Sequence, residues 1–294
     1  RLKRNPRDVE ALYFLGATDG LKAVFTAAIE QRFRAALSDS SRAVDSHKEV
    51  LKLDPAFRDA ELTIGMYNYV VGSLPLPVKL LASIGGVRGS KKRGLEMVER
   101  VGKEGRWGRD LARTLLIDLY KREKRWPDAL AVARDLSERY PQNYLFQLQA
   151  ADAIIGEATT LRQKGRPDSE ANAKAREAFV IFESLLRDRA TQQATANRAA
   201  DLIHFRYGEV LLMAGEPERA GEEFLAAARV VKTEPALATL AHLRRAQAMD
   251  LAGKRREALA EYELVLNRTN VRRSHEEARR GLQTPYRKVS EIRW

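Results

Sequence analysis

The 294-residue chain contains no cysteine and only four histidines. Without cysteine, neither a disulfide nor a thiolate metal site can form, while the compartment stays open between periplasm, cytosol and exterior. Long apolar runs are also missing. A bilayer-spanning helix needs about 20 mainly apolar residues. The nearest stretch, residues 62 to 78 (LTIGMYNYVVGSLPLPV), is broken by glycines, an asparagine, Pro75 and Pro77.

The histidines are scattered. His47 falls on the buried side of a helix and reads as core; Asp45 and Ser46 beside it point about 100° apart and make no nucleophilic triad. His204 and His242 recur at equivalent places and read as core filling, since a metal would require further ligands. His275-Glu276-Glu277 lacks the second histidine four residues on that a zinc protease helix needs. The glycines of GGVRGSKKRG have no Gly-Lys-Ser/Thr and no preceding buried strand, so they read as a tight turn under a basic surface. No catalytic residue, cofactor or metal ligand is therefore assigned, and the chain is not expected to be an enzyme.

What is present is charge and helical periodicity. Charged residues make up 31% of the chain and the net charge is +12. Residues 88–125 hold 13 Lys/Arg against 6 Asp/Glu, and residues 268–294 hold 8 against 3, so the remainder sums to zero. Such patches attract an acidic partner, a membrane face or nucleic acid. Nucleic acid is the weaker expectation because no aromatics interleave with the basic residues; Trp107 and Trp126 are expected to pack between helices. The chain opens with RLKRNP, which reads as the tail of a helix and suggests an upstream segment, with a bacterial periplasm or envelope slightly favoured over cytoplasm.

Between residues 111 and 141, Leu116, Ile117 and Tyr120 recur at helical spacing, a polar turn intervenes, and Ala129, Ala133 and Leu136 form a second stripe before Pro141. Small residues in the stripe let two antiparallel helices close to about 8–10 Å. The register returns with Tyr207, Gly208, Gly215, Ala220, Phe224 and Ala227, and again with Ala246, Gly253, Ala258, Tyr262 and Val265; Arg245 stands there in place of a leucine. This helix-turn-helix pattern resembles the tetratricopeptide family.

The second-helix small residues Ala43, Gly94, Ala129, Ala178, Ala220 and Ala258 mark about six hairpins, at residues 9–55, 58–103, 110–141, 144–189, 201–235 and 239–268, with a capping helix at 272–294. The predicted architecture is an all-α, right-handed α-solenoid in a single domain over 1–294, with insertions. The main insertion, about 17 residues after Ser73, includes LPVKLLASIG as a short apolar helix ending at Gly85-Gly86. Packing across the inner groove, lying in a membrane interface and contacting a partner all remain open for it.

Gly65, Tyr67, Asn68, Ser73-Leu74-Pro75, Gly85, Arg88-Gly89 and Gly94-Leu95 resemble a motif in bacterial tetratricopeptide proteins similar to the eukaryotic tetratricopeptide-39 group. That group includes a fungal mitochondrial outer-membrane protein that helps clear inclusion bodies. The resemblance, concentrated in residues 58–103, implies a non-enzymatic adaptor near a membrane and names no partner.

First helices line the concave side of such stacks. Phasing places Tyr13, Ala17, Met66, Tyr69, Thr114, Asp118, Leu148, Asp152, Phe205, Glu209, Leu212, Gln247 and Asp250 toward that groove, as a surface for a protein or peptide segment. Family members that grip a C-terminal carboxylate use lysines and asparagines; Asp118, Asp152 and Glu209 stand here instead, so a basic or amphipathic segment is expected. Tyr69→Ala or Phe205→Ala is expected to weaken capture while leaving the fold intact.

Overall fold

A computed structural model describes residues 1–84, 86–191, 200–230 and 233–287. Among these residues there are helices and turns but no strand, so the all-α expectation holds. The chain divides into two compact units, Arg1–Glu123 and Lys124–Trp294.

The first unit contains α1 (Val9–Ala28), α2 (Phe33–Leu53), a 3-10 turn (Arg58–Ala60), α3 (Glu61–Gly72), α4 (Leu76–Ile84), α5 (Lys91–Glu104) and α6 (Arg109–Arg122). Helix α1 packs on α2, α3 on α5, and α5 on α6. The Asp8 carboxylate accepts the Ala11 N–H at 3.0 Å and starts α1. Helix α4 is the expected insertion: Pro77 sits in its first turn, where the missing N–H costs nothing, and Gly86 at φ +78° follows its end. Gly85, assigned to that stop, lies outside the described residues.

The α3–α5 crossing explains Gly65 and Gly94 of the 58–103 motif. A Cβ on Gly94 would come within 2.5 Å of the Gly65 carbonyl oxygen, and one on Gly65 within 2.9 Å of the Gly94 carbonyl oxygen. Gly72, absent from that motif, abuts the Lys91 backbone nitrogen. Backbone meets backbone here, and no side chain fits between them.

Two polar devices complete this unit. The buried Asp59 carboxylate accepts N–H groups from Arg106, Trp107 and Gly108 at 3.0, 2.9 and 2.6 Å, just ahead of α6. His47 is core, as its position implied: its Nε2 lies 2.9 Å from the Tyr13 carbonyl oxygen and its ring stacks on the Tyr13 ring. Trp107 packs against Tyr13, Phe14 and Phe57.

The second unit contains α7 (Trp126–Arg139), α8 (Tyr144–Gln163), α9 (Asp168–Thr191), α10 (Ala200–Met213), α11 (Pro217–Arg229), α12 (Pro235–Leu251), α13 (Arg255–Leu266) and α14 (Ser274–Gln283). Each packs on the next in sequence. The even members α8, α10, α12 and α14 touch one another in order and form one layer, with α9, α11 and α13 each packed between successive members of it. That is the solenoid-like arrangement the spacing predicts. Ala178, Ala220 and Ala258 are fully buried at the hairpin contacts, and Gly215 and Gly253 turn the chain at φ +80° and +75°.

Trp126 lies against Gly156 and donates its indole N–H to Thr160 Oγ1 at 2.8 Å, so it packs between α7 and α8. The predicted pair 110–141 has its two helices on either side of the division, α6 in the first unit and α7 in the second. Residues 288–294 of the expected cap lie outside the described residues, and the described capping helix is α14.

Candidate functional site

The predicted groove residues divide sharply by burial. In the first unit, Thr114 and Asp118 are exposed and Ala17 and Met66 half-buried. Tyr13 and Tyr69 are core residues. The Tyr69 hydroxyl donates to Glu123 Oε1 at 2.5 Å. Burial, then the Glu123 hydrogen bond, pushes this phenol up to about 12.

In the second unit, Leu148, Phe205 and Leu212 belong to one continuous apolar core, with Phe205 edge-on to Phe224 at 5.5 Å between ring centroids. The expectation that Tyr69→Ala or Phe205→Ala would leave the fold intact is therefore corrected. Both side chains fill interior space that truncation would empty.

Three of the predicted polar residues, Asp152, Glu209 and Gln247, by contrast converge. Arg206 on α10 reaches back to Asp152 on α8 through Nη2 and holds Glu209 Oε2 through Nη1 at 3.2 Å. Arg244 on α12 approaches the other Glu209 oxygen at 3.9 Å and donates to Gln247 Oε1 at 2.9 Å. Gln247 Nε2 donates onward to Glu277 Oε2 on α14 at 3.1 Å. One ladder of charged and polar side chains thus runs across α8, α10, α12 and α14, the helices of one layer.

Two of the three carboxylates of this ladder, Asp152 and Glu209, lie deeper than the guanidiniums, while Glu277 is exposed. Side-chain exposure is 6% for Glu209 and 11% for Asp152, against 18% for Arg206 and 25% for Arg244. Burial raises the Glu209 carboxyl above its usual range even though both arginines oppose the shift. Asp152 and Glu209 are engaged within the ladder beside the more exposed Arg206 and Arg244, and the Glu277 carboxylate at its α14 end is exposed. Around Asp152 and Glu209 the better exposed charge is therefore that of the arginines.

Asp250 does something else. Its carboxylate is fully enclosed and accepts from Arg255 Nη1 at 2.8 Å, the Tyr262 hydroxyl at 3.0 Å and the Tyr286 backbone N–H at 2.8 Å. It ties α12 to α13 and to the segment after α14. Burial, followed by the Asp250 charge and hydrogen bond, raises the Tyr262 phenol far above its usual value.

The phasing missed Arg206, Arg244 and Glu277. A signal was present: His204, Arg206 and Glu223 recur 38 residues on as His242, Arg244 and Glu261. The histidines of the two hairpins each bond a glutamate of their own hairpin at 2.7 Å, Glu223 and Glu261 respectively. Arg245, in place of the usual leucine, ion-pairs with the same Glu261. Burial pushes the Glu261 carboxyl up, but His242 and Arg245 together outweigh it and hold the group below the usual carboxylate range. Among the described residues, no group of three or more His, Asp or Glu is placed to hold a metal ion.

No known family profile matches this chain, and no curated protein does. Solved structures do: one is the crystal structure of BtubC (BKLC) from P. vanneervenii, 15% identical, aligned over 98% of each chain with a TM-score of 0.39. Similarity at that level carries no argument about what this chain does.

Proposed function

We propose that the protein is a non-enzymatic binding scaffold of the tetratricopeptide kind, holding a protein or peptide segment along the layer formed by α8, α10, α12 and α14. The observation that carries this reading is the charged ladder from Asp152 to Glu277. Its side chains are locked to one another before any partner arrives, so little rotamer entropy remains to be lost on binding. The outward guanidiniums of Arg206 and Arg244 favour a segment bearing carboxylates or free backbone carbonyls.

The test is to pan a displayed library of random peptides against the whole protein. Enrichment of acidic peptides whose capture falls roughly tenfold in Arg244→Ala, with helix content unchanged, supports the reading, a hydrogen bond to a charged group being worth about 1.5–3 kcal/mol. Enrichment indifferent to Arg244→Ala, or no enrichment at all, contradicts it.

A further inference from the structure

We infer that α4 and the first turn of α5 form one docking surface for an anionic lipid bilayer. The inference stands apart from the peptide-scaffold reading, because it concerns other residues in the other unit. Leu76, Val78 and Leu80 are 70%, 47% and 59% exposed on a helix of only nine residues, an unusual concentration of apolar side chains in water. Leu76 and Leu80 stand one turn apart on the same side.

Helix α4 is anchored beside a cluster of cations. Lys79, half-buried, donates to the Gly72 carbonyl oxygen at 3.3 Å, and Gly72 in turn abuts the backbone nitrogen of Lys91, the first residue of α5. The same glycine therefore links the middle of α4 to the start of α5. There Lys91, Lys92 and Arg93 follow one another, with Arg88 just before them, and all four are exposed. Lys91 pairs with Glu123 at 2.7 Å. Among the described residues, Arg88, Lys92 and Arg93 make no ion pair.

These charges are unfavourable for the helix that carries them. The first turn of α5 has no acidic residue, and cations there oppose the positive end of the helix dipole. Their field adds to the dipole at the exposed start of α5, the end that Gly72 joins to α4. An exposed apolar helix flanked by unpaired cations is the arrangement that lies in a membrane interface, with leucines in the acyl boundary and cations at anionic headgroups. Duplex nucleic acid would satisfy the cations but leave Leu76, Val78 and Leu80 in water.

The experiment is co-sedimentation of the whole chain with vesicles of phosphatidylcholine alone and of phosphatidylcholine mixed with phosphatidylglycerol. Binding is expected to the mixed vesicles only. A triple Arg88→Ala, Lys92→Ala, Arg93→Ala variant should lose roughly a hundredfold in affinity, at about 1 kcal/mol for each cation near the surface. Leu76→Ser with Leu80→Ser should lose roughly a hundredfold or more with helix content unchanged, since burying each leucine is worth about 1.5–3 kcal/mol. Equal binding to neutral vesicles, no binding to either, or binding indifferent to the leucine changes would overturn the inference. So would a soluble polyanion such as duplex DNA binding as tightly as the vesicles and depending only on the cations.

Discussion

The Nδ1 atom of His47 is buried and has no hydrogen-bond partner, while Nε2 faces the Tyr13 carbonyl. The neutral tautomer with hydrogen on Nε2 satisfies that carbonyl; a second proton would sit on an enclosed atom with nothing to receive it. Burial accordingly lowers the imidazole below its usual value, against the opposing pull of the Tyr13 carbonyl. For a histidine depressed in the folded state, stability is complete above the unfolded value of about 6.5 and declines as pH falls below it, because the unfolded chain takes up the proton first. Urea midpoints followed downward through that window should drop in the wild type and drop less in His47→Gln, whose amide can still donate to Tyr13. Equal slopes would contradict the assignment. Gly16 presses on the same ring, a Cβ there falling 2.5 Å from His47 Cδ2, so Gly16→Ala should lower stability by about 1–3 kcal/mol through overpacking, measurable by the same denaturation.

At the scale of elements, Asp250 tests how the last helices are fastened. Asp250→Ala leaves an Arg255 guanidinium, the Tyr262 hydroxyl and the Tyr286 N–H without their enclosed acceptor. A loss of about 1–3 kcal/mol is expected in equilibrium unfolding, since the Tyr262 hydroxyl and the Tyr286 N–H lose their acceptor while Arg255, partly exposed, keeps the Gly281 and Leu282 carbonyls; no measurable change would mean that water replaces the carboxylate. The same residue shows what could be read from the chain alone. Ala43, Gly94, Ala178, Ala220 and Ala258 announced the hairpins within the two units because a missing side chain is a local constraint, visible wherever two helices must close. The ladder was not visible in that way. Phasing finds which residues belong to one helix layer, and it placed Asp152, Glu209 and Gln247 there. Whether a carboxylate faces water or an arginine on the next helix depends on where long side chains reach, and Arg206 and Arg244 fall outside the listing that periodicity produces. Tyr69 and Phe205 failed for a related reason: an aromatic on the expected inner face is as well suited to filling the gap between helices as to meeting a ligand.

At the scale of the whole molecule, a chain of hairpins transmits disturbance differently from a globule with one centre. Each helix of the second unit packs on its neighbours in sequence, and α11 in particular lies against α10 and α12. Stability in such an array is close to a sum of local terms and nearest-neighbour interfaces. Ala220 is fully buried on α11, with Phe224 and Ala227 buried along the same helix, so a larger side chain there must push α10 or α12 aside. Ala220→Leu is therefore expected to destabilise by about 1–3 kcal/mol. Its effect should be graded along the chain. Native-state hydrogen exchange should show protection falling most in α10, α11 and α12, less in α8 and α14, and hardly at all in α1 and α2. Equal loss in every helix would mean that all of them open in one cooperative step, and the hairpins would then have to be treated as parts of a single core.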